Sequence, residues 1–205
     1  MRLPAWMLVM LALVPSIATP QELPANVAAT LKDIRHADKD LLAVSDEDGR
    51  FMRTMVLATR TRRALEIGTA SGYSAIWIAL GLRDTGGHLV TIEYDKARAS
   101  QATANIKRAG FSDIVSVVQG DALTEIPKLS ASFDLVFCDA WKRDYLKYFT
   151  LVFPALNKGG LFLAHNVINK SGEMADFLST IRTDPRVVTS IVSPGSEGMS
   201  VSYKR

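Results

Sequence analysis

The sequence predicts an α/β fold in which a mostly parallel sheet carries helices on both faces. From residue 64 onward, short apolar runs alternate with longer amphipathic segments, as strands alternate with helices in such folds. Glycines stand at the ends of several of these segments and mark turns. The last two apolar runs are joined by a segment rich in Gly, Ser and Pro, which predicts a hairpin and one antiparallel strand among seven.

Size and composition indicate one globular domain. The chain has 205 residues, of which 48% are hydrophobic and 22% charged, so it can bury a sizeable core. The net charge is +3, and the densest basic group is Arg60, Arg62 and Arg63. We interpret it as a solvated helix end, so no nucleic-acid partner is expected. The single cysteine, Cys138, excludes a disulfide framework and a cysteine-based metal site.

Residues 1–20 differ from the rest of the chain. Arg2 precedes a mostly apolar stretch, and small residues stand at Ser16 and Ala18. This pattern resembles a secretory signal peptide cleaved after Ala18, with an uncleaved N-terminal anchor as the alternative. The protein is therefore expected to be exported, periplasmic or secreted, or else anchored to the membrane through this segment alone. The domain itself is expected at residues 21–205.

Two helices are predicted ahead of the first strand. Residues 21–44 are expected to form a helix with an apolar face at helical spacing, made of Val27, Leu31, Ile34, Leu41 and Leu42. A second helix is expected to start after Ser45, with acids in its first turn, and to run towards Arg60. These helices are expected to cover part of a ligand site.

The alternating segments give the sheet and its crossover helices. The predicted strands are 64–67, 88–93, 114–119, 133–138, 160–164, 187–192 and 199–203. The predicted helices between them are 73–82, 96–109, 123–129, 143–156 and 172–182. In an open parallel sheet, ligands bind beyond the carboxyl ends of the strands. The residues that directly follow each strand are therefore the candidates for a site.

The first strand ends in a glycine turn. Gly68 and Gly72 fit a tight turn that leads into a helix, where the backbone can approach a ligand closely. The spacing Glu-x-Gly-x-x-x-Gly lacks the three glycines that admit a dinucleotide pyrophosphate. Glu66 at its edge would repel a pyrophosphate and suit a ligand that carries an ammonium group.

Acids follow the second and third strands. Glu93 can accept hydrogen bonds from both hydroxyls of a ribose, and this role is expected here. Asp121, followed by Ala122, can accept a hydrogen bond from an adenine amino group or cap the next helix, and it can do both.

The fourth and fifth strands lead into residues with catalytic chemistry. Asp139, His165 and Asn166 are expected to converge as mixed oxygen and nitrogen ligands of a divalent metal. Lys142, beside an acid, is a candidate proton acceptor. Trp141 offers a flat apolar wall for an adenine or an aromatic substrate.

Four segments together resemble the catechol O-methyltransferase-like family of metal-dependent O-methyltransferases. They are 65–74, 90–93, 137–145 and 163–168, and the similarity covers about residues 40–205. The resemblance implies a Rossmann-like class I methyltransferase fold, with residues 21–205 as the catalytic domain. It also implies a magnesium-dependent transfer of methyl from S-adenosylmethionine to a hydroxyl of a small phenolic or catechol-like substrate. A homodimer is the candidate assembly.

The resemblance also implies roles for single residues. Lys142 matches the catalytic base, and Asp139 and Asn166 match metal ligands. The positions that match the cofactor site, including the segment that closes over the methionine end, are Val44, Glu66, Gly68, Ser71, Gly72, Tyr73, Ser74, Glu93, Asp121, Ala122, Asp139 and Trp141.

Two positions depart from the family pattern. His165 stands where the family usually has an aspartate, and three possibilities are open. The site binds a metal softer than magnesium, it binds a metal weakly, or it binds no metal and His165 acts as a base or contacts the substrate. The family pattern also has an acid near the final hairpin that contacts the substrate. The nearest match to it in this sequence is Ser200, and Glu197 stands on the preceding turn.

Two other functions are weighed. An NAD-dependent oxidoreductase would share the architecture, but the third glycine and a Tyr-x-x-x-Lys pair are missing. A cofactor-binding module with weak or no methyl transfer is the second alternative, because His165 replaces the usual metal-binding aspartate.

Overall fold

The computed structural model describes residues 22–38 and 43–205. The segment 1–20, predicted to be a signal peptide or anchor, lies outside the described residues, as do Leu41 and Leu42. Within the described part, no helix is both long and apolar enough to cross a membrane.

Helices and strands alternate along the described chain. The α-helices are α1 (Ala25–Ala37), α2 (Asp46–Ala58), α3 (Tyr73–Thr85), α4 (Lys96–Arg108), α5 (Ala122–Glu125), α6 (Tyr145–Val152) and α7 (Ala175–Thr183). The strands are β1 (Arg63–Ile67), β2 (His88–Glu93), β3 (Val115–Gln119), β4 (Phe133–Cys138), β5 (Leu156–His165), β6 (Val187–Val192) and β7 (Met199–Lys204).

The strands form one seven-stranded sheet in the order β3-β2-β1-β4-β5-β7-β6. All neighbouring pairs are parallel except β5 with β7 and β6 with β7, so β7 is the antiparallel strand that the sequence predicts. The register pairs His165 with Met199. The turn that precedes β7 therefore lies beside the carboxyl end of β5.

Both faces of the sheet are covered, which confirms the predicted α/β layering. On one face, side chains such as Leu135 and Phe137 of β4 pack with α1, α2, α3 and α4. On the other, Val136 and the buried thiol of Cys138 pack with α5, α6 and α7. Because side chains alternate between the two cores, β4 is apolar at five of its six positions, and Asp134 is the exception.

Several predicted boundaries differ from the structure: α3 ends at Thr85 instead of 82, α5 ends at Glu125 instead of 129, and α7 begins at Ala175 instead of 172. Three further differences have a clear physical cause. The first helix ends at Ala37, not at 44, because the backbone of Asp38 is not helical, with a ψ of 78°. The Asp38 carboxylate accepts the backbone N–H of Ala43 at 2.7 Å. Strand β5 starts at Leu156, because the glycine pair predicted as a turn continues the strand with a shifted register. Helix α6 ends at Val152, where Pro154 in the following 3₁₀ turn has no N–H to continue it.

Candidate active site

The glycine turn after β1 meets the loop after β4. Gly68 has a φ of +93°, and a Cβ at this position would lie 2.3 Å from the backbone oxygen of Asp139. Gly72, with a φ of +88°, is the N-cap of α3. Both positions favour glycine because of their positive φ, and Gly68 also leaves no room for a side chain against the neighbouring loop. The cofactor half and the catalytic half of the predicted site are therefore in direct contact.

Hydrogen bonds to Glu93 connect this turn to the end of β2. Its Oε2 accepts the backbone N–H groups of Thr69 at 3.1 Å and Ala70 at 2.8 Å. Its Oε1 accepts the N–H of Asp95 at 3.0 Å. The carboxylate is thus held rigidly at the strand end, and its predicted contact with a ribose stays a prediction.

Glu66 is a fully buried acid beneath the turn. The Thr91 hydroxyl donates to its Oε2 at 2.5 Å, whereas its Oε1 has no hydrogen-bond partner within residues 22–38 and 43–205. Burial raises the pKa of Glu66 to about 7, and the charges of Asp139 and Glu93 act in the same direction. A half-satisfied buried carboxyl group calls for a donor from a ligand. A ligand ammonium group would supply one.

The remaining predicted cofactor positions surround the same edge of the sheet. Val44, Tyr73, Ser74 and Ala122 are buried, and the Tyr73 hydroxyl donates to Asp46 at the start of α2. The Ser71 carbonyl accepts from Asn105, and Asp121 caps α5 through the N–H of Leu123. Trp141 is 69% exposed and offers its ring to solvent at the mouth of the site.

Lys142 and Asp139 form a partly buried ion pair beside the glycine turn. The Nζ atom of Lys142 lies 2.5 Å from Asp139 Oδ1 and 3.1 Å from the hydroxyl oxygen of Tyr145. Burial opposes the charge of Asp139, but the hydrogen bond from His165 and the charge of Lys142 outweigh it and lower its pKa to about 2. Sequence reasoning missed Tyr145, whose hydroxyl also donates to the carbonyls of Cys138 and His165.

His165 lies among three carboxylates. Its Nδ1 is 3.2 Å from Asp139 Oδ2, and its Nε2 is 3.3 Å both from Asp48 Oδ2 and from Glu197 Oε2. Burial lowers the pKa of this imidazole, but Asp139 and Asp48 outweigh burial and raise it to about 10. Asp48 was missed, because an acid in the first turn of α2 indicates only a helix cap.

Three further residues predicted near the end of β5, namely Ser200, Glu197 and Asn166, differ in whether they reach the site. Ser200, the nearest match to the family's substrate-contacting acid, is fully buried in β7 opposite Ala164. Glu197 instead reaches the site through its contact with His165. Asn166 directly follows β5 with a φ of +61°, and its role as a metal ligand stays a prediction.

Comparison with known proteins decides the class. The family model for O-methyltransferases matches residues 21–204, nearly the whole chain. The chain belongs to the O-methyltransferase family. The match confirms the resemblance to O-methyltransferases and the predicted kind of enzyme. A solved cofactor-bound structure from MTB, with a TM-score of 0.82 at 31% identity over 91% of this chain and 93% of its own, agrees with the predicted class I methyltransferase fold.

Relatives of this O-methyltransferase include two bacterial enzymes named catechol O-methyltransferase. The one from Mycobacterium tuberculosis is 38% identical, over 73% of this chain and 68% of its own length. The one from Niastella koreensis is 36% identical, over 76% and 71%. A solved O-methyltransferase from Bacillus cereus, in complex with SAH, superposes with a TM-score of 0.80 at 28% identity and covers 91% of this chain and 94% of its own.

The donors around His165 fit a divalent cation. One imidazole and three carboxylates meet there, against a single ammonium group from Lys142. Oxygen ligands alone suit magnesium, whereas a nitrogen ligand favours zinc, iron, cobalt or nickel. The site chemistry of this O-methyltransferase is therefore compatible with a metal that is softer than magnesium.

Proposed function

We propose that this O-methyltransferase moves the methyl group of S-adenosylmethionine to a hydroxyl group of a small catechol-like substrate. One observation carries the proposal: the glycine turn, with buried Glu66 beneath it, touches the loop that bears Asp139 and Lys142. A cofactor bound at the turn would present its methyl group beside Lys142. The two catechol O-methyltransferases among the relatives support the substrate class.

Each part of the cofactor finds a matching group. The ammonium group at its methionine end suits Oε1 of Glu66, which is buried and has no hydrogen-bond partner within the described part of the chain. The ribose hydroxyls suit Glu93, and the adenine suits Asp121 and the exposed ring of Trp141. The SAH in the Bacillus cereus relative supports this assignment of the cofactor.

The reaction is an in-line displacement. The substrate oxygen forms a bond to the methyl carbon while the carbon–sulfur bond breaks, and the sulfonium leaves as the neutral thioether of S-adenosylhomocysteine. The ammonium group of Lys142 must first lose a proton, and its neutral amine then takes the hydroxyl proton. Asp139 and Tyr145 hold the nitrogen atom of Lys142 in place. Most of the rate enhancement comes from holding oxygen, carbon and sulfur in line. A bound divalent cation would supply a lower pKa for the substrate hydroxyl and would orient its oxygen.

An aromatic substrate suits the apolar surface at the mouth. Trp141 and Ile168 expose large apolar side chains there. The backbone N–H of Ile168 donates to the carbonyl of Glu197 at 3.0 Å, which fixes Ile168 beside the acid that contacts His165. Trp141 follows β4 and Ile168 follows the neighbouring β5, so a flat ring that packs on this apolar surface would lie at the same end of the sheet as Lys142.

Replacement of Lys142 tests the proton acceptor. We expect Lys142→Ala and Lys142→Arg to lower kcat with a catechol by roughly 10²–10⁴-fold, because neither side chain accepts the proton. Calorimetry should find the dissociation constant for S-adenosylmethionine close to that of the parent. The matched control is Lys147→Ala, which removes an exposed lysine of α6 and should keep parental turnover.

The arginine variant separates proton transfer from charge. If Lys142→Arg turned over catechol as fast as the parent, a positive charge alone would suffice and the role of Lys142 as base would be wrong. A loss of cofactor binding in both variants would instead place Lys142 in the cofactor pocket.

A cofactor-binding module with weak or no methyl transfer is the second candidate. It is favoured by Ser200, which is buried at the position nearest to the family's substrate-contacting acid. Such a module would bind S-adenosylmethionine but release no methylated product.

A further inference from the structure

Three side chains that can each offer one metal-ligand atom lie together on the Nε2 side of His165. We propose that Asp48, His165 and Glu197 together bind one divalent transition-metal ion, of the zinc, cobalt or nickel type. This site differs from the predicted set Asp139, His165 and Asn166. The use of the metal rests on the proposed function, whereas its binding is measured independently.

The distances fit ligands of a common ion better than direct hydrogen bonds. Asp48 Oδ2 and Glu197 Oε2 each lie 3.3 Å from His165 Nε2, and the three atoms lie within 4.8 Å of one another. A charge-assisted hydrogen bond would be about 2.7–2.9 Å long. Ligand atoms about 2.1 Å from a shared metal are separated by about 3.0 Å in an octahedral site and about 3.4 Å in a tetrahedral one.

The other ring nitrogen is used in a way that supports a metal on Nε2. Nδ1 lies 3.2 Å from Asp139 Oδ2, an arrangement in which a carboxylate orients the imidazole and leaves Nε2 free to bind. The second oxygen of Asp139 is 2.5 Å from the ammonium of Lys142. The Nδ1 side therefore offers one carboxylate next to a cation, whereas the Nε2 side offers two carboxylates.

The ligands are held in position by their own backbones and neighbours. Asp48 is fully buried, with Oδ1 accepting the N–H of Gly195 at 3.0 Å and Oδ2 accepting the Ser45 hydroxyl at 2.6 Å. The turn that carries Glu197 is tied to the end of β5, because the N–H of Val167 donates to the carbonyl of Gly198 at 3.2 Å. The contact between Asp48 and Gly195 joins α2 to this turn.

The charges also call for a doubly charged ion. Asp48, Asp139 and Glu197 bring three negative charges, and Lys142 brings one positive charge. An imidazole that binds a metal through Nε2 has given up its proton there, so two negative charges then remain in a mostly buried group. A divalent cation would balance them. The Glu197 side chain is 36% exposed, so ions can reach the site from solvent.

A metal titration tests the site without any methyl transfer. Chelator-treated full-length protein is titrated with Co²⁺ and Zn²⁺, and binding is followed by calorimetry and by the visible absorption of Co²⁺. We expect one ion per chain and weaker binding of Mg²⁺. Glu197→Gln, Asp48→Asn and His165→Asn should each weaken Co²⁺ binding by at least about 100-fold, because each removes a ligand.

Control variants separate this site from the predicted one. Glu47→Gln, which changes the exposed acid next to Asp48, should bind Co²⁺ as the parent does. Asp139→Asn should weaken binding less than Glu197→Gln, and Asn166→Ala should weaken it least. Glu197→Gln is the decisive variant, because it changes a surface turn and leaves the core intact.

Opposite outcomes overturn the proposal. If Asp139→Asn and Asn166→Ala abolished Co²⁺ binding while Glu197→Gln kept it, the metal would lie on the Nδ1 side. If the parent bound neither Co²⁺ nor Zn²⁺, the proposed metal site would also be refuted. Methyl transfer in the presence of chelator would not change that conclusion. Metal binding that depends on Glu197, in a protein that methylates no catechol, would support the site and contradict only the proposed function.

Discussion

Gly68 is the residue at which the cofactor turn and the catalytic loop meet. Its φ of +93° lies in a region that other residues rarely adopt, and a Cβ there would lie 2.3 Å from the carbonyl oxygen of Asp139. The same loop carries Lys142 and contacts His165 through Asp139. A single methyl group at position 68 therefore disturbs the distance between the methyl donor and the base.

Gly68→Ala should consequently impair both stability and catalysis. We expect thermal unfolding to reveal a loss of roughly 1–3 kcal/mol from backbone strain, with more from the clash. Turnover should fall because Asp139 and Lys142 are displaced from the cofactor. Gly172→Ala is the matched control, since a Cβ there meets nothing within 4 Å, and it should behave as the parent. Parental stability and turnover in Gly68→Ala would contradict this close approach.

At the scale of elements, Asp134 at the start of β4 joins three strands. Its Oδ2 accepts the backbone N–H groups of Arg62 at 2.9 Å and Arg63 at 3.0 Å, where β1 begins. Its Oδ1 accepts the side-chain amide of Asn157 in β5 at 2.7 Å. These contacts lie at the amino ends of the strands, opposite to the site, so they serve the fold alone.

Asp134→Ala should lower stability without affecting the site. The lost hydrogen bonds predict a destabilisation of roughly 1–2 kcal/mol at neutral pH, with parental affinity for S-adenosylmethionine. Burial opposes the charge of Asp134, but its hydrogen bonds lower the pKa below the ordinary 3.8. The stabilisation is present above that value and is lost as the pH falls through the lower folded value. Denaturant unfolding at several pH values, with exposed Asp113→Ala as control, should therefore show the difference shrinking in acid.

Strands and their end residues could largely be predicted from sequence, because buried parallel strands form short apolar runs. The predicted bounds of β2 and β4 agree with the structure. The start of β5 was missed, because Gly159 and Gly160 indicate a turn locally. They lie inside the strand because Leu156 and Leu161 on either side of them pair with β4. The contact between Asp48 and His165 spans 117 positions, so no local pattern could reveal it.

At the scale of the whole molecule, the placement of β7 between β5 and β6 builds the site. It brings the turn that carries Glu197 over the end of β5, where α2 contributes Asp48. The cofactor turn follows β1, and the catalytic loop follows β4 next to it. These distant parts of the chain therefore meet at one edge of the sheet, and the edge carries both the proposed methyl donor site and the proposed metal site.

Methyl transfer to a catechol is the measurement that tests this account most directly. The parent protein is incubated with methyl-labelled S-adenosylmethionine, a panel of catechols and phenols, and Mg²⁺, Mn²⁺, Co²⁺ or Zn²⁺, with chelator as the control. The account predicts labelled O-methylated catechol together with S-adenosylhomocysteine in at least one metal condition, and loss of product with chelator. Binding of S-adenosylmethionine with no labelled product in any condition would contradict it and would favour a cofactor-binding module.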